Sequence, residues 1–559
     1  MTPTSTLAHR TLLVVASVAL AGVAWAWWLS GTFVGQPDPR NAFSAFYVIF
    51  ARDELVGLAL VSVFSVGAAL FFCLKRNSTE EVPAASVADP GDRLTMALIA
   101  IGVLAIAALG TYFVCHDYAL TADEFMSDFQ ARIFLRGKIS AEVPPEWRDA
   151  VRVIKPTYAD YLPATHSWKS AYLPVYAAMR AVFQSVSLQS LLNPFLAAAT
   201  ILALYGTARN IWPEEKRNAL VAILLLATSA QFLLMAMTAY SMPAHLALNT
   251  IWLWLYSRPD VRRFYLAPIV GVLAIGLHQP VVHALFVAPF LLRLAIRRNW
   301  AAVSVFGFIY LLGCAGWYAW RAHYSTHTGP GDASFFRLWN PGMLIIQPMD
   351  LLLIIGWSAL ATPLLAVLGF RRIFREPPII RDAAISCFLT FGFYYFFRLD
   401  QCHGWGYRYF HGTLSCLVLV AVAGWKELIA QTGIRTARDF LVAGAVGSLV
   451  IALPLRCYQA ETFIRPFARA SDVIHSMNLE VVGIDPRFAW YSGDLIRNDP
   501  FLEERPIVAS LINLRPQEVA ALTGAGKARL VTREELHALG LATTWPERYR
   551  VPFRFGWGK

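Results

Sequence analysis

Two adjacent carboxylates, Asp123 and Glu124, with a third at Asp128, stand immediately after a long apolar run at 94–114. A carboxylate within hydrogen-bond reach of a hydroxyl can accept its proton or orient it for attack. Asp123 is therefore the candidate general base, and Glu124 its orienting partner or the group that caps the helix. Lys155, Lys169, His278 and Arg408 are the cations that could neutralise a departing phosphate. The polar region 116–187 also offers Trp147, Tyr158, Asp160, Tyr161, His166 and Trp168, a mixture in which aromatic faces could hold a sugar and cations a phosphate. For any single residue the competing reading is a membrane-interface belt, with rings at headgroup level and lysines reaching outward.

Two further segments could carry chemistry. Residues 400–412 contain Gly404, Gly406 and Gly412 together with Tyr407, Arg408, His403 and His411. The glycines would let backbone approach a ligand closely, and Arg408 could hold a phosphate through two parallel hydrogen bonds. The competing reading is an external turn anchored by Tyr and Trp. His278 lies in a polar interruption, 277–280, that could equally be a plain helical-hairpin turn. The stretch 323–332, with His323 and His327, reads as a loop or lid in preference to a metal site.

The element that must position the carboxylates is a helix. Thr121 and Glu124 have capping-box spacing and Gly137 is a natural stop, so about four turns are expected across 121–138. Phe125, Phe129 and Ile133 form an apolar stripe beside Glu124, Asp128 and Arg132, as in a helix lying along a membrane surface. The plainer account is that Asp123 and Glu124 only favour a helix N-terminus.

With 57% hydrophobic and 15% charged residues in 559, the chain is a polytopic membrane protein. The net charge of +11 does not point to nucleic acid, because the basic residues fall between apolar runs and form no continuous patch. Runs at 11–29, 55–74 and 94–114 are followed by others at 189–208, 219–238, 244–256, 264–277, 281–296, 301–320, 351–370, 383–397, 413–429 and 440–455, about 13 transmembrane helices with soft boundaries, of which a pair could be one re-entrant hairpin. A cleaved signal competes with a retained anchor for the first. With a cytoplasmic N-terminus every inside connection is basic, including Lys75, Arg76, Arg217, Arg263, Arg298, Arg372 and Lys426, while 116–187, 321–348, 398–411 and the tail fall on the far side. Beyond Arg456, β-leaning pieces at 480–484, 506–511 and 529–532 alternate with helical ones at 516–522 and 533–539, which predicts a small α/β extracytoplasmic C-terminal domain. The expected division is 1–92, two N-terminal transmembrane helices and a linker; 93–456, a transmembrane catalytic module; and 457–559, the C-terminal domain. The seven cysteines have no metal-ligand spacing, and one disulfide among Cys115, Cys402 and Cys457 stays open. There is no Walker-type loop and no H-E-x-x-H.

The order of apolar span, Asp123-Glu124 helix ending at Gly137, then Trp168-Lys169-Ser170-Ala171-Tyr172-Leu173-Pro174 resembles the GT-C membrane glycosyltransferases. The closest branches are the protein O-mannosyltransferase and aminoarabinose-transferase-like ones, glycosyltransferase family 39-like. Gly404-Trp405-Gly406-Tyr407-Arg408-Tyr409 looks like the glycine-aromatic-Arg-Tyr segment of bacterial members. The resemblance covers 94–425, and the two spans before the first large loop depart from the single span of many members. It implies transfer of a sugar from a polyprenyl-phosphate donor to a glycan, lipid or protein acceptor on the extracytoplasmic face, and the Ala- and Arg-rich composition suggests a bacterial inner membrane. No cofactor is certain, and a divalent-metal requirement is left open. The rivals are a transporter or flippase for a lipid-linked glycan, disfavoured by spans almost free of charge, and a non-catalytic glycan-assembly subunit.

Overall fold

The computed structural model describes residues 5–32, 42–74, 91–324, 343–396, 401, 404–489, 491–512, 514 and 528–541. The expected lid residue His327, the side chain of His323, Asp400, Cys402, His403 and the helical piece at 516–522 lie outside the described residues. The chain is mostly helical. Its helices are α1 (Ser5–Thr32), α2 (Ala42–Leu74), α3 (Gly91–Phe113), α4 (Ala122–Leu135), α5 (Val151–Ile154), α6 (Val175–Gln184), α7 (Leu192–Ile211), α8 (Arg217–Ala227), α9 (Ala230–Met237) and α10 (Met242–Tyr256). They continue with α11 (Val261–Phe264), α12 (Ala267–Ile275), α13 (Pro280–Ile296), α14 (Trp300–Tyr324), α15 (Met343–Trp357), α16 (Thr362–Arg372), α17 (Pro378–Phe396), α18 (Leu414–Thr432), α19 (Ile434–Gly447), α20 (Leu453–His475) and α21 (Arg533–Ala538).

Among the described residues, eight helices are long and apolar enough to cross a membrane, or up to ten if each of two bent pairs is one span. The expected count of thirteen is not reached on that measure. The run at 219–238 breaks into α8 and α9, bent by 59°, and the run at 351–370 breaks into α15 and α16, bent by 111°. Ser229 explains the first break, since its side chain caps α9 by accepting from the Phe232 amide. Helices α10, α12 and α13 have 15, 9 and 17 residues, short of the ~20 that a perpendicular crossing takes.

Small residues let the bundle close. A Cβ on Gly424 of α18 would sit 1.8 Å from the Leu365 carbonyl oxygen of α16, and one on Gly369 would sit 1.9 Å from that of Val420. The two backbones touch, a packing that dispersion stabilises where no hydrophobic drive operates between helices. The spans are less free of charge than the sequence suggested. Glu54 and Arg456 form a fully buried ion pair, the nearer N–O distance 2.7 Å, closed by Trp357 Nε1 donating to Glu54 at 2.7 Å, and Arg293 pairs with Asp382. Helices α19 and α20 are joined by a π turn into one continuous rod, so the expected boundary at 456/457 falls inside a helix. Cys115 and Cys457 are both free thiols.

Two small sheets sit beside α4. The first is antiparallel in the order β1 (Ala141–Glu142), β3 (Ser167–Ser170), β2 (Ala159–Leu162), with Asp160 opposite Lys169 and Tyr161 opposite Trp168. The second is parallel in the order β5 (Ile507–Ser510), β4 (Val481–Ile484), β6 (Ala528–Val531), followed by α21, and its strands fall where the tail's β-leaning pieces do. The apolar stripe of α4 meets protein rather than lipid. Met126, Phe129 and Ile133 are buried in one core with Trp168, Val481, Leu502, Ile507 and Ala509. The segments expected on the far side, around α4, His278, Arg408 and the tail, thus pack together. The basic segments expected inside meet elsewhere: Lys426 pairs with Glu215 and Glu376, and Arg372 with Glu376 and Glu427.

Candidate functional site

Helix α4 begins as its sequence requires. Thr121 is the N-cap, its side chain accepts from the Glu124 amide, and the Glu124 carboxylate accepts from the Thr121 amide at 3.0 Å, closing the capping box. The other oxygen of Glu124 accepts from the Ala239 amide at 3.1 Å, which ties α4 to the turn before α10. Glu124 is a buried staple, with burial raising its carboxyl to about 7 despite these bonds. Gly137, at φ +68°, terminates the segment in a left-handed conformation that glycine takes without strain.

One residue earlier, Asp123 points elsewhere. Its Oδ2 accepts from Arg408 Nη1 at 2.7 Å and its Oδ1 accepts from the Tyr172 hydroxyl. Burial pushes the Asp123 carboxyl up, but Arg408, His278 and Tyr172 outweigh it and hold it below the ordinary carboxylate value. The His278 ring lies 4.1 Å from that of Tyr172, centroid to centroid. Burial brings the imidazole down to about 4, with the Asp123 charge opposing. Arg408 lies 5.4 Å and 5.3 Å from the rings of Tyr240 and Tyr409, so its charge is held by one carboxylate and two aromatic faces. The side chain of Asp123 remains 16% exposed.

Arg408 is aimed by its backbone. It opens a 3-10 turn, Arg408–Thr413, and its amide donates to Gln401 Oε1 at 2.8 Å. Gln231 donates to the Tyr407 carbonyl at 2.8 Å and accepts from the Tyr407 amide at 3.3 Å. Gly406 has φ +73°, and a Cβ there would lie 2.6 Å from Gln231 Oε1. Within this clamp the guanidinium has a surplus donor. Buried Nε of Arg408 and both ring nitrogens of His278 have no hydrogen-bond partner among the described residues. Buried polar groups left unpaired are rare in folded proteins and mark a place where a ligand or water belongs.

Of the expected site residues, the structure brings Asp123, His278 and Arg408 together and leaves the rest elsewhere. Trp168, expected against a sugar, is a core side chain with 0% exposure whose Nε1 donates to the Pro500 carbonyl at 2.7 Å. Tyr407 is buried with its ring against Phe391 and Tyr409. His166 is exposed in the β2–β3 connection, its Nδ1 3.1 Å from the Tyr161 hydroxyl. Lys155 donates to the Ala159 carbonyl at 2.6 Å, and burial lowers its ammonium. Lys169 is buried 5.8 Å from the Trp320 ring, and burial brings it down to about 8 against the opposing pull of Asp160. Tyr172, Tyr240, Gln231 and Gln401 were missed. Tyr172 and Gln401 lay in segments that the sequence singled out, 168–174 and 400–412, whereas Tyr240 and Gln231 did not. Among the described residues no three His, Cys, Asp or Glu side chains are grouped to hold a metal ion.

No family model matches the chain, and no curated protein matches it significantly. Solved structures similar to it include ArnT from Cupriavidus metallidurans in the apo state, with 13% identity, 77% of this chain and 89% of that one covered, and a TM-score of 0.48. The same protein bound to undecaprenyl phosphate gives 13% identity, 79% and 90% coverage and a TM-score of 0.47. The S. cerevisiae protein O-mannosyltransferase Pmt1-Pmt2 complex bound to the sugar donor gives 18% identity, 45% and 36% coverage and a TM-score of 0.27.

Proposed function

We propose that the chain is an integral-membrane glycosyltransferase that moves a sugar from a polyprenyl-phosphate donor to an acceptor hydroxyl on the extracytoplasmic face, with Asp123 as the base. The observation that carries this reading is the ion pair of Asp123 with an Arg408 whose Nε, like the nitrogens of the His278 ring, has no hydrogen-bond partner among the described residues. A phosphate diester would satisfy those donors and draw the guanidinium from Asp123 towards itself. The carboxylate so released accepts the acceptor's hydroxyl proton. The hydroxyl oxygen's electron pair forms the new bond to the anomeric carbon as the carbon–oxygen bond to phosphate breaks, and the lipid phosphate leaves with the pair of that broken bond, its charge held by Arg408. One displacement inverts the anomeric configuration. Lys155 and Lys169 supply further positive charge on the β-hairpin side of α4. His166, Trp168 and Tyr407 have no direct part.

The test is incubation of the purified protein with labelled polyprenyl-phosphate sugars and membrane extract. Asp123→Asn is expected to reduce transfer by about 10³-fold or more, the scale of a lost base in a preorganised site. Wild-type protein that transfers sugar from none of the donors would sink the reading.

A further inference from the structure

Helices α12, α13 and α14 enclose an apolar groove of about 390 Å³, lined by side chains such as Val287, Leu291 and Phe306 and interrupted by the polar groups of His283 and Tyr310. His283 is fully buried on α13, a costly place for an imidazole unless both nitrogens are satisfied. They are. Nε2 lies 2.8 Å from the Tyr310 hydroxyl and Nδ1 lies 2.7 Å from Asn249 Oδ1, while Asn249 Nδ2 donates to the Gly412 carbonyl at 2.9 Å.

The direction of each bond follows from what its atoms can do. A carbonyl only accepts, so the Asn249 amide nitrogen must face Gly412 and its oxygen must face the imidazole. That oxygen also only accepts, so the proton of a neutral ring is on Nδ1, which leaves Nε2 to accept from Tyr310. Tyr310, His283, Asn249 and the Gly412 carbonyl therefore form a one-way hydrogen-bonded chain. It ends on the 3-10 turn Arg408–Thr413 that opens with the phosphate-facing arginine. The turn rests directly on the helices bearing the chain, since a Cβ on Gly412 would lie 2.7 Å from Val282 and 3.4 Å from Asn249 Nδ2.

We propose that His283 is a positioning residue for the transfer reaction. Through Asn249 it fixes the far end of the turn, as Gln401 fixes the near end, and so sets where the Arg408 guanidinium meets the departing phosphate. This rests on the glycosyltransferase reading above. His283→Leu removes the proton that orders Asn249, whereas His283→Gln keeps one donor and one acceptor on a side chain of similar reach.

The test is a double-mutant cycle on sugar transfer with a labelled polyprenyl-phosphate sugar. His283→Leu is expected to lower kcat by about tenfold, the equivalent of one buried hydrogen bond, with donor KM changed less than twofold; His283→Gln restores most of the rate. On an Arg408→Lys background His283→Leu is expected to cost less than about twofold, because the guanidinium it aims is already gone. An equal loss on both backgrounds, or a His283→Leu protein as fast as wild type, overturns the proposal. If His283→Leu is not monodisperse, the same cycle with Tyr310→Phe decides it on the same criterion. Wild-type protein without transfer activity would instead overturn the reading on which the proposal rests.

Discussion

At the residue scale, neighbouring carboxylates on one helix are separated by what surrounds them. Asp123, held by Arg408 and Tyr172, stays ionised, while Glu124, buried against amides, is raised to about 7. The acid limb of kcat/KM due to Asp123 is therefore expected below the ordinary carboxylate value. Arg408→Ala removes the strongest of the groups that oppose burial and should move that limb upward in the residual pH–rate profile, and an unmoved limb would show that Asp123 is not the titrating group. For Glu124 the folded value lies above the ordinary 4.5, so the folded state holds this proton more tightly than the unfolded chain. Its contribution to stability is complete below 4.5 and lost as the pH rises through about 7. Asp494, raised to about 6 by burial, acts in the same direction. The unfolding temperature in detergent should fall between about pH 5 and about pH 8, and Glu124→Gln should flatten that slope while costing about 1–3 kcal/mol, because its amide must face one of two backbone N–H groups.

At the element scale, the bundle depends on where side chains are missing. Gly369 and Gly424 allow α16 and α18 to touch backbone to backbone, and α18 follows directly from the turn that carries Arg408. Gly424→Leu should separate the two helices and abolish the monodisperse peak in size exclusion, whereas Gly316→Leu, on α14, should keep it. The contrast is physical. At Gly424 the obstacle is a neighbouring carbonyl, whereas a Cβ on Gly316 would meet nothing within 4 Å.

At the scale of the whole molecule, the tail is a wall of the unit built around α4. Its strands share a core with α4, Trp168 donates to Pro500, and Arg497 donates to the Leu120 carbonyl at 2.8 Å just before the Thr121 cap. Ending the chain after Ser476 should expose Met126, Phe129 and Ile133, make 116–187 sensitive to protease and abolish activity. Trp168→Ala should cost about 3–5 kcal/mol, the range for a large core side chain, and appear as lost thermal stability before any change in donor KM. A weakened donor KM at unchanged stability would return Trp168 to the site.

The sequence by itself determined the features that depend on neighbours along the chain. Composition established the membrane class, Thr121 and Glu124 the capped helix, Gly137 its end, and the short β-leaning runs the strands of the tail. It also singled out Asp123, His278 and Arg408 as separate candidates. Only the tertiary structure decided that these three meet, because an ion pair spanning 285 positions leaves no periodic trace in either segment. The same holds for Trp168 and the stripe of α4, since an apolar face carries no mark of whether lipid or a distant strand will cover it. Which runs break escaped for a related reason: hydropathy averages over a window, while a bend is set by a single cap such as Ser229 and by the helices that receive it.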